Sequence, residues 1–307
     1  MQSLEITDIK SLLDVISEVK AQHKGKQLFF RGQQTHFENI TPSIDRDGYI
    51  NNEDTLFREF ITKNPNEFKV ESSTFDMLVK MQHYNLPTRL LDITSNPLIA
   101  LFFATENDER YNKDDGEFII FPIPSNKIKF YDSDTVSVIA NISKRPCNGL
   151  DLSHINYNVE TVDGIKRFNE ETDIKYLLHE IKYEKPHFQP LIKRKHLESI
   201  YCVKPLLNNR RIINQDGAFL LFGIDIAKDN IANYKNSDFS PLIVTVKNKS
   251  EIHESLKLLG ITYDKIYPEL DTTAKFLKEK YKNKEQFSSK PEENEVNYIG
   301  HIPVRWP

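Results

Sequence analysis

Two stretches of the chain concentrate polar groups of types that carry chemistry. In the first, Arg31 ends an apolar run (residues 27–32, QLFFRG) and is followed by Gly32 and Gln33. A guanidinium is a planar fork that meets phosphate or carboxylate with two hydrogen bonds. Glycine lets a ligand approach the backbone closely. An arginine snorkelling to a surface ion pair is the competing reading of the same residues. In the second stretch, residues 81–104 read MQHYNLPTRLLDITSNPLIALFFA, and Gln82, His83, Thr88, Arg89, Asp92, Thr94 and Ser95 fall within fourteen positions. In an extended chain Thr88, Leu90, Asp92 and Thr94 share one side, while Arg89, Leu91 and Ile93 share the other. A polar row in an apolar segment is either an internal network or the lining of a pocket, because buried polar groups need partners. Asp92 paired with Arg89 or Arg31 is the structural version of that row. His83 alone reads equally as a satisfied core histidine.

Other chemistry is sparse. There is no P-loop, GxGxxG, GxSxG elbow or HExxH helix, and no two histidines stand at metal-ligand spacing. Glu180-Ile181-Lys182 has the carboxylate and lysine of a metal-dependent nuclease. In a chain with 28% charged residues the same triplet also describes a solvated helix face.

The elements that must position these groups follow from periodicity and punctuation. Residues 6–19 have helical spacing, with Thr7 as N-cap. A short strand at 27–32 leads into a loop at 33–52 containing Pro42, Asp47-Gly48 and Asn51-Asn52. Helices are expected at 53–63 and 73–84. A β-like run at 88–94 precedes Pro97, which suits the first turn of a buried helix at 98–106. Strands follow at 117–123 and 135–140, then a helical piece at 171–183. Strands at 200–203 and 218–224 flank a polar connector at 208–217. A last strand at 240–246 precedes a helix at 249–259 stopped by Gly260, and a further helix at 271–284. Strands and helices without regular alternation argue an α+β fold in a single domain. Residues 1–26 supply an N-terminal helix packed on a body of 27–284, and 285–307 form a polar tail.

Composition sets the class. Nineteen Phe and thirteen Tyr in 307 residues give the bulky apolar groups that a disordered chain lacks. The formal net charge of −4 argues against a protein whose main work is wrapping duplex DNA, while leaving room for a local basic patch. Cys147 and Cys202 are the only cysteines, which excludes a disulfide scaffold and a thiolate zinc site. The longest apolar run, residues 98–104, is far short of the ~20 residues that span a bilayer. With no leader pattern at the N-terminus, a cytoplasmic protein without a membrane partner is expected.

The motifs FFRGQ (29–33), TPSI (41–44), EDTLFREF (53–60) and MQHYNLPTRLLDITSNPLIALFFAT (81–105) resemble the bacterial FRG domain, named for the Phe-Arg-Gly at Phe30, Arg31 and Gly32. RIINQDGAF (211–219) and LGITYDKIYPELD (259–271) look like its closing segments. Asn85 stands where the family usually has Gly, and asparagine tolerates the left-handed backbone a turn would need there. A second, more distant resemblance is to ADP-ribosyltransferases, which implies a split antiparallel or mixed sheet with flanking helices. In those enzymes an Arg-Gly at the end of the first strand holds NAD, and a Ser-Thr-Ser-like strand end precedes an NP-x-x-A-x-x-FA helix. Arg31-Gly32 and residues 93–104 are similar to those two elements.

The resemblance implies NAD as substrate or ligand, cleaved at the nicotinamide–ribose bond, with a protein, a nucleic acid or water as acceptor. It also implies a bacterial defence, phage-defence or toxin setting. Arg31, His83, Gln215 and Asp216 take the catalytic places. Arg31, Gly32, Gln33, Gln82, Thr88, Arg89, Asp92, Thr94 and Ser95 take the cofactor-binding ones, and no metal is implied. The family's late-strand Glu is absent, with Gln215 and Asp216 standing before the AFLLF strand. A neutral side chain at a developing cation typically costs a few kcal/mol. A non-catalytic nucleotide- or partner-recognition module is therefore the rival reading.

Overall fold

The computed structural model describes residues 5–37, 39–68, 73–106, 114–146, 149–150, 152–225 and 230–269, with 274, 277 and 278. Residues 1–268 form one compact unit and residues 269–307 a second. Cys147, most of the expected helix at 271–284 and the tail at 285–307 lie outside the described residues.

In chain order the first unit runs β1 (Glu5–Ile6), α1 (Ile9–Gln22), β2 (Lys26–Gln33), α2 (Glu53–Lys63), α3 (Thr74–His83), β3 (Leu90–Thr94), α4 (Pro97–Thr105), β4 (Gly116–Pro124), β5 (Ile128–Phe130) and α5 (Asp134–Ala140). It continues α6 (Val162–Glu170), α7 (Thr172–Glu184), α8 (Arg194–Leu197), β6 (Ile200–Lys204), α9 (Arg210–Asn214), β7 (Gly217–Phe222), β8 (Ile224–Asp225), β9 (Asn230–Ile231), β10 (Leu242–Val246), α10 (Lys249–Leu258) and α11 (Tyr263–Ile266). Eight strands make one sheet in the order β1-β10-β4-β2-β3-β7-β6-β5. The two outermost pairs are parallel and the inner ones antiparallel, so the fold is α+β around a mixed sheet.

The sheet is not evenly knit. β2 pairs with β4 over eight residues and β3 with β7 over five, yet β2 and β3 share one pair, Phe30 with Thr94. The packing parts along the same line. On one face a continuous cluster crosses the sheet through Phe29, Leu91, Ile93, Ile119, Phe121 and Leu220. On the other face two clusters divide the strands. One holds Phe30, Phe118, Ile120 and α4, and the other holds Leu90, Phe219, Leu221 and α5. Odd and even residues of β2 and β3 thus go to opposite faces, as alternation demands.

Helix α4 sets how closely the helix layer approaches β2. Its start has Asn96 as N-cap, whose side chain accepts from the Leu98 N–H at 3.0 Å, and Pro97 in the first turn. A Cβ on Gly32 would lie 1.8 Å from the Ala100 carbonyl oxygen and 2.6 Å from the Ala104 nitrogen. One on Gly116 would lie 2.5 Å from the Ala104 carbonyl oxygen. The missing side chain of Gly32 is therefore filled by a helix, where the sequence suggested a ligand.

Three sequence expectations change. Residues 135–140 form the helix α5 and not a strand, because every one of them is buried. A short, largely apolar run buried on every side reads the same in either state. The N-cap of α1 is Asp8 and not Thr7: Asp8 Oδ1 accepts from the Ser11 N–H at 2.7 Å, and Ser11 Oγ accepts from the Asp8 N–H at 3.0 Å. Ile6 instead pairs with Val246 in β1. The connector at 208–217 contains α9, capped by the Asn209 side chain on the Arg211 N–H at 2.8 Å. Asn85 has φ of 60° and Gly260 of 78°, the left-handed conformations their turns require.

Gly32→Ala is expected to lower the unfolding free energy by about 3 kcal/mol, since backbone and not a flexible tip blocks the added carbon. Gly217→Ala, whose Cβ would meet nothing nearer than 3.4 Å, is expected to change it by less than about 0.5 kcal/mol. Urea denaturation of the two variants measures the contrast.

Candidate functional site

Where β2 leaves β3, Arg31 occupies the opening. Its Nη1 donates to the Asp92 carbonyl oxygen at 2.8 Å, in a place where a continued sheet would have put a ladder bond. Its Nε donates to Gln33 Oε1 at 3.2 Å. Burial pulls the Arg31 pKa below the ordinary arginine value, opposed by the nearby Asp92 carboxylate and reinforced by Arg46. An arginine starts high enough to keep its charge at neutral pH.

Two cavities open beside this residue. One, of about 250 Å³, is lined by Arg31, Arg46, Gln82, His83, Asp92 and Arg211 among others. The second, of about 240 Å³, is lined by Gly32, Gln33, Gln34, Phe37, Phe103 and Glu106 among others. Arg31, Asp92, Ile93, Arg211 and Gln215 line both, so the cavities are two compartments of one cleft with a shared wall. The first compartment is rich in guanidinium and the second is flanked by aromatic rings.

The polar row of residues 88–94 divides between the cleft and the core. Asp92 is exposed to the cleft, and its Oδ2 accepts from Gln82 Nε2 at 3.0 Å. Gln82 Oε1 accepts from Thr88 Oγ1 at 2.6 Å, and Thr88 Oγ1 takes the Leu90 N–H at 3.2 Å. Thr88 is thus a buried support for Gln82. Arg89 is 1% exposed and forms a two-pronged pair with Glu53: its Nε reaches Oε1 at 2.9 Å and its Nη2 reaches Oε2. Its Nη1 also donates to the Phe222 carbonyl at 2.8 Å. Arg89 ties α2 to β3 and β7, and its partner is neither Asp92 nor a cleft ligand.

Thr94 lines the second compartment while its Oγ1 donates to the Gln215 carbonyl at 2.7 Å and accepts from the Asn96 N–H at 2.9 Å. Ser95 binds the Asp216 carbonyl through its N–H at 3.1 Å and is not among the lining residues.

The residues before β7 also separate. Gln215 follows α9 and reaches both compartments, with its Nε2 donating to the Ile266 carbonyl at 3.1 Å. Asp216 has φ of 45° and accepts from Asn96 Nδ2 at 3.0 Å. It stands in a turn that braces the start of α4, outside the lining of either compartment, and not on a strand facing the cleft. His83 lines the first compartment, with its ring edge-on to Tyr84 at 5.1 Å.

Arg46, Arg211, Phe37, Phe103 and Glu106 are lining residues that sequence reasoning did not select. Arg211 begins the RIINQDGAF segment, so the family-like motif carried a signal for it. Arg46 stands in a turn-rich loop with no pattern around it, and only the tertiary fold brings it to the cleft. The nuclease triplet does not assemble. Glu180 pairs with Arg58 at 3.7 Å, and Lys182 lies two positions on along α7, where side chains do not face each other. Among the described residues no three His, Cys, Asp or Glu groups stand together in a way that could hold a metal. No helix among them is long and apolar enough to cross a membrane.

Away from the cleft, His196 has its pKa lowered to about 4, first by burial and then by Lys193, Lys195, Lys129 and Lys127. An unfolded histidine titrates near 6.5. Above that pH neither state binds the proton, and as pH falls toward 4 only the unfolded chain takes it up. The stability present above pH 6.5 is therefore lost on acidification. Between pH 6.5 and 5 the folded state is expected to lose at most about 1 kcal/mol to this group, because water screens a half-buried imidazole and reduces what the full shift would give. His196→Leu should flatten that part of the stability–pH curve, measured by urea titrations at each pH. An unaltered slope in the variant contradicts the assignment.

Residues 26–113 match the family model of the FRG domain. That span contains Arg31, Gly32, Gln33, Arg89 and Asp92, whereas Arg211 and Gln215 lie beyond it. Searches of curated proteins and of solved structures find no match to the chain.

Proposed function

We propose that the cleft at the β2/β3 opening binds a nucleotide, with NAD the best fit, on an ADP-ribosyltransferase-like scaffold. The observation that carries this reading is the pair of compartments sharing Arg31, Asp92, Arg211 and Gln215. Two joined spaces of comparable volume, one guanidinium-rich and one flanked by Phe37 and Phe103, suit a ligand with a pyrophosphate and an aromatic ring at its end. Arginine forks bind phosphate oxygens in pairs of charge-assisted hydrogen bonds. Aromatic side chains supply flat apolar surface for a ring. The likeness of Arg31-Gly32 and of the β3–α4 junction to ADP-ribosyltransferase elements points the same way.

Chemistry at this site would be cleavage of the nicotinamide–ribose bond, with ADP-ribose passed to a protein, a nucleic acid or water. Such a bond breaks with positive charge growing on the ribose ring. A carboxylate beside that ring lowers the barrier by electrostatic stabilisation. Asp92 is the carboxylate shared by both compartments among their lining residues, and Gln82 and Arg31 hold its position. Gln215, at the shared wall, offers its amide to a ribose hydroxyl. The neutral Gln215 also favours the second reading, a recognition module that binds the nucleotide without cleaving it.

Calorimetric titration with NAD, with nicotinamide release followed in the same sample, separates the readings. Wild type is expected to bind, and Arg31→Ala to bind at least tenfold more weakly, the loss of one charge-assisted pair. Asp92→Asn is expected to keep most of the affinity and lose release by about a hundredfold or more. Binding with no release in wild type favours the recognition module. Neither binding nor release removes NAD as the ligand.

A further inference from the structure

A buried carboxylate sits where the sheet has no packing use for one. β4 is buried along its length from Gly116 to Ile123, and its only charged residue is Glu117, 7% exposed. Glu117 lies opposite Gln33 in the β2–β4 register, and Gln33 is also 7% exposed. Both project to the same face as Arg31, since residues two apart on a strand share a face. Burying a carboxylate is costly unless it is paired and hydrogen-bonded, so its presence in a strand of Phe and Ile marks a role other than packing.

The contacts form one unbroken chain. His36 Nδ1 meets Glu117 Oε1 at 2.6 Å, and Gln33 Nε2 donates to Glu117 Oε2 at 3.2 Å. Arg31 Nε donates to Gln33 Oε1 at 3.2 Å, and Arg31 Nη1 donates to the Asp92 carbonyl at 2.8 Å. The direction of this chain is dictated by chemistry at both ends. An ionised carboxylate only accepts and a guanidinium only donates. A residue between them must therefore donate on one side and accept on the other, which the glutamine amide does in a single orientation.

With Nε held by Gln33 and Nη1 held by Asp92, Arg31 Nη2 makes no hydrogen bond among the described residues. Arg31 lines both compartments.

We infer that Glu117 and Gln33 are positioning residues: through the Gln33 amide, Glu117 fixes the Arg31 guanidinium so that its remaining donors face the anionic part of the ligand. The inference rests on the nucleotide-binding reading for its ligand, but the relay itself is a property of the free protein. Its cost in buried polarity is offset by pre-organisation, because an arginine already held in place loses less side-chain freedom on binding.

The test is the double variant Gln33→Leu/Glu117→Leu, which removes both buried members of the pair together; the groups they release stay open to water, Arg31 on the cleft and His36 on a side chain that is 69% exposed. Replacing a buried polar pair by apolar residues of similar size is often neutral or stabilising. A purely structural pair predicts that stability and binding move together. The positioning role predicts that they part: the melting temperature holds or rises, while NAD affinity falls roughly ten- to hundredfold.

The fall must also vanish in an Arg31→Ala background, since the relay acts only through that side chain. In parallel, the Arg31 Nε–H signal in nitrogen–proton NMR of the free protein should be slow to exchange in wild type. It should be fast in Gln33→Leu/Glu117→Leu. Wild-type affinity in the double variant overturns the inference, as does an Nε–H signal that stays protected. If wild type fails to bind NAD while the Nε–H signal responds as described, the nucleotide reading falls and the relay stands.

Discussion

The parting of β2 from β3 governs most of what surrounds it. β2 is committed along its whole length to β4, and α4 lies against it so closely that Gly32 and Gly116 have no room for a side chain. β3 is committed to β7 over its five residues. One shared pair, Phe30 with Thr94, joins the two halves. Beyond that pair a β3 carbonyl faces the opening without a ladder partner on β2. The Arg31 guanidinium meets that need at Asp92, so one side chain both closes the gap in hydrogen bonding and stands at the wall between two cavities.

Two arginines that look alike in sequence have opposite fates for a physical reason. Arg89 is buried with Glu53 and two backbone carbonyls, and its donors are spent inside the protein. Breaking such a pair typically costs about 3–5 kcal/mol, which makes Arg89 a brace between α2 and the centre of the sheet. Arg31 has partners on two of its nitrogens and lines both compartments of the cleft. The difference lies in the carboxylate available to each: Glu53 meets Arg89 with both oxygens, whereas among the described residues no acidic side chain forms such a two-pronged pair with Arg31, and the nearby Asp92 carboxylate bonds Gln82 instead.

The turns around the cleft are equally specific in their chemistry. Asp216 adopts a left-handed backbone and spends its carboxylate on Asn96, which in turn caps α4. Thr94 ties β3 to the Gln215 carbonyl. These bonds fix where α4 begins relative to β7, and so where Gln215 sits at the shared wall. Side chains that a linear reading would assign to a ligand are here the struts that hold the cleft-facing ones.

Local elements are legible in the residues alone wherever a single pattern is strong. The helices at 53–63 and 74–83, the helix begun by Asn96-Pro97 and the stop at Gly260 all follow from spacing and caps, which act over a few residues. The sequence also marked Arg31, Gln82, Asp92 and Gln215, four groups that do meet at the cleft. What it could not decide depends on distant partners. Residues 135–140 became a helix because burial on all sides overrides strand propensity. Arg46 and Arg211 reached the cleft from segments about 165 residues apart, a separation over which no periodicity carries information. Whether a polar side chain is a strut or stands open to the cleft is settled only when the fold supplies or withholds its hydrogen-bond partner, and that is a property of the tertiary structure alone.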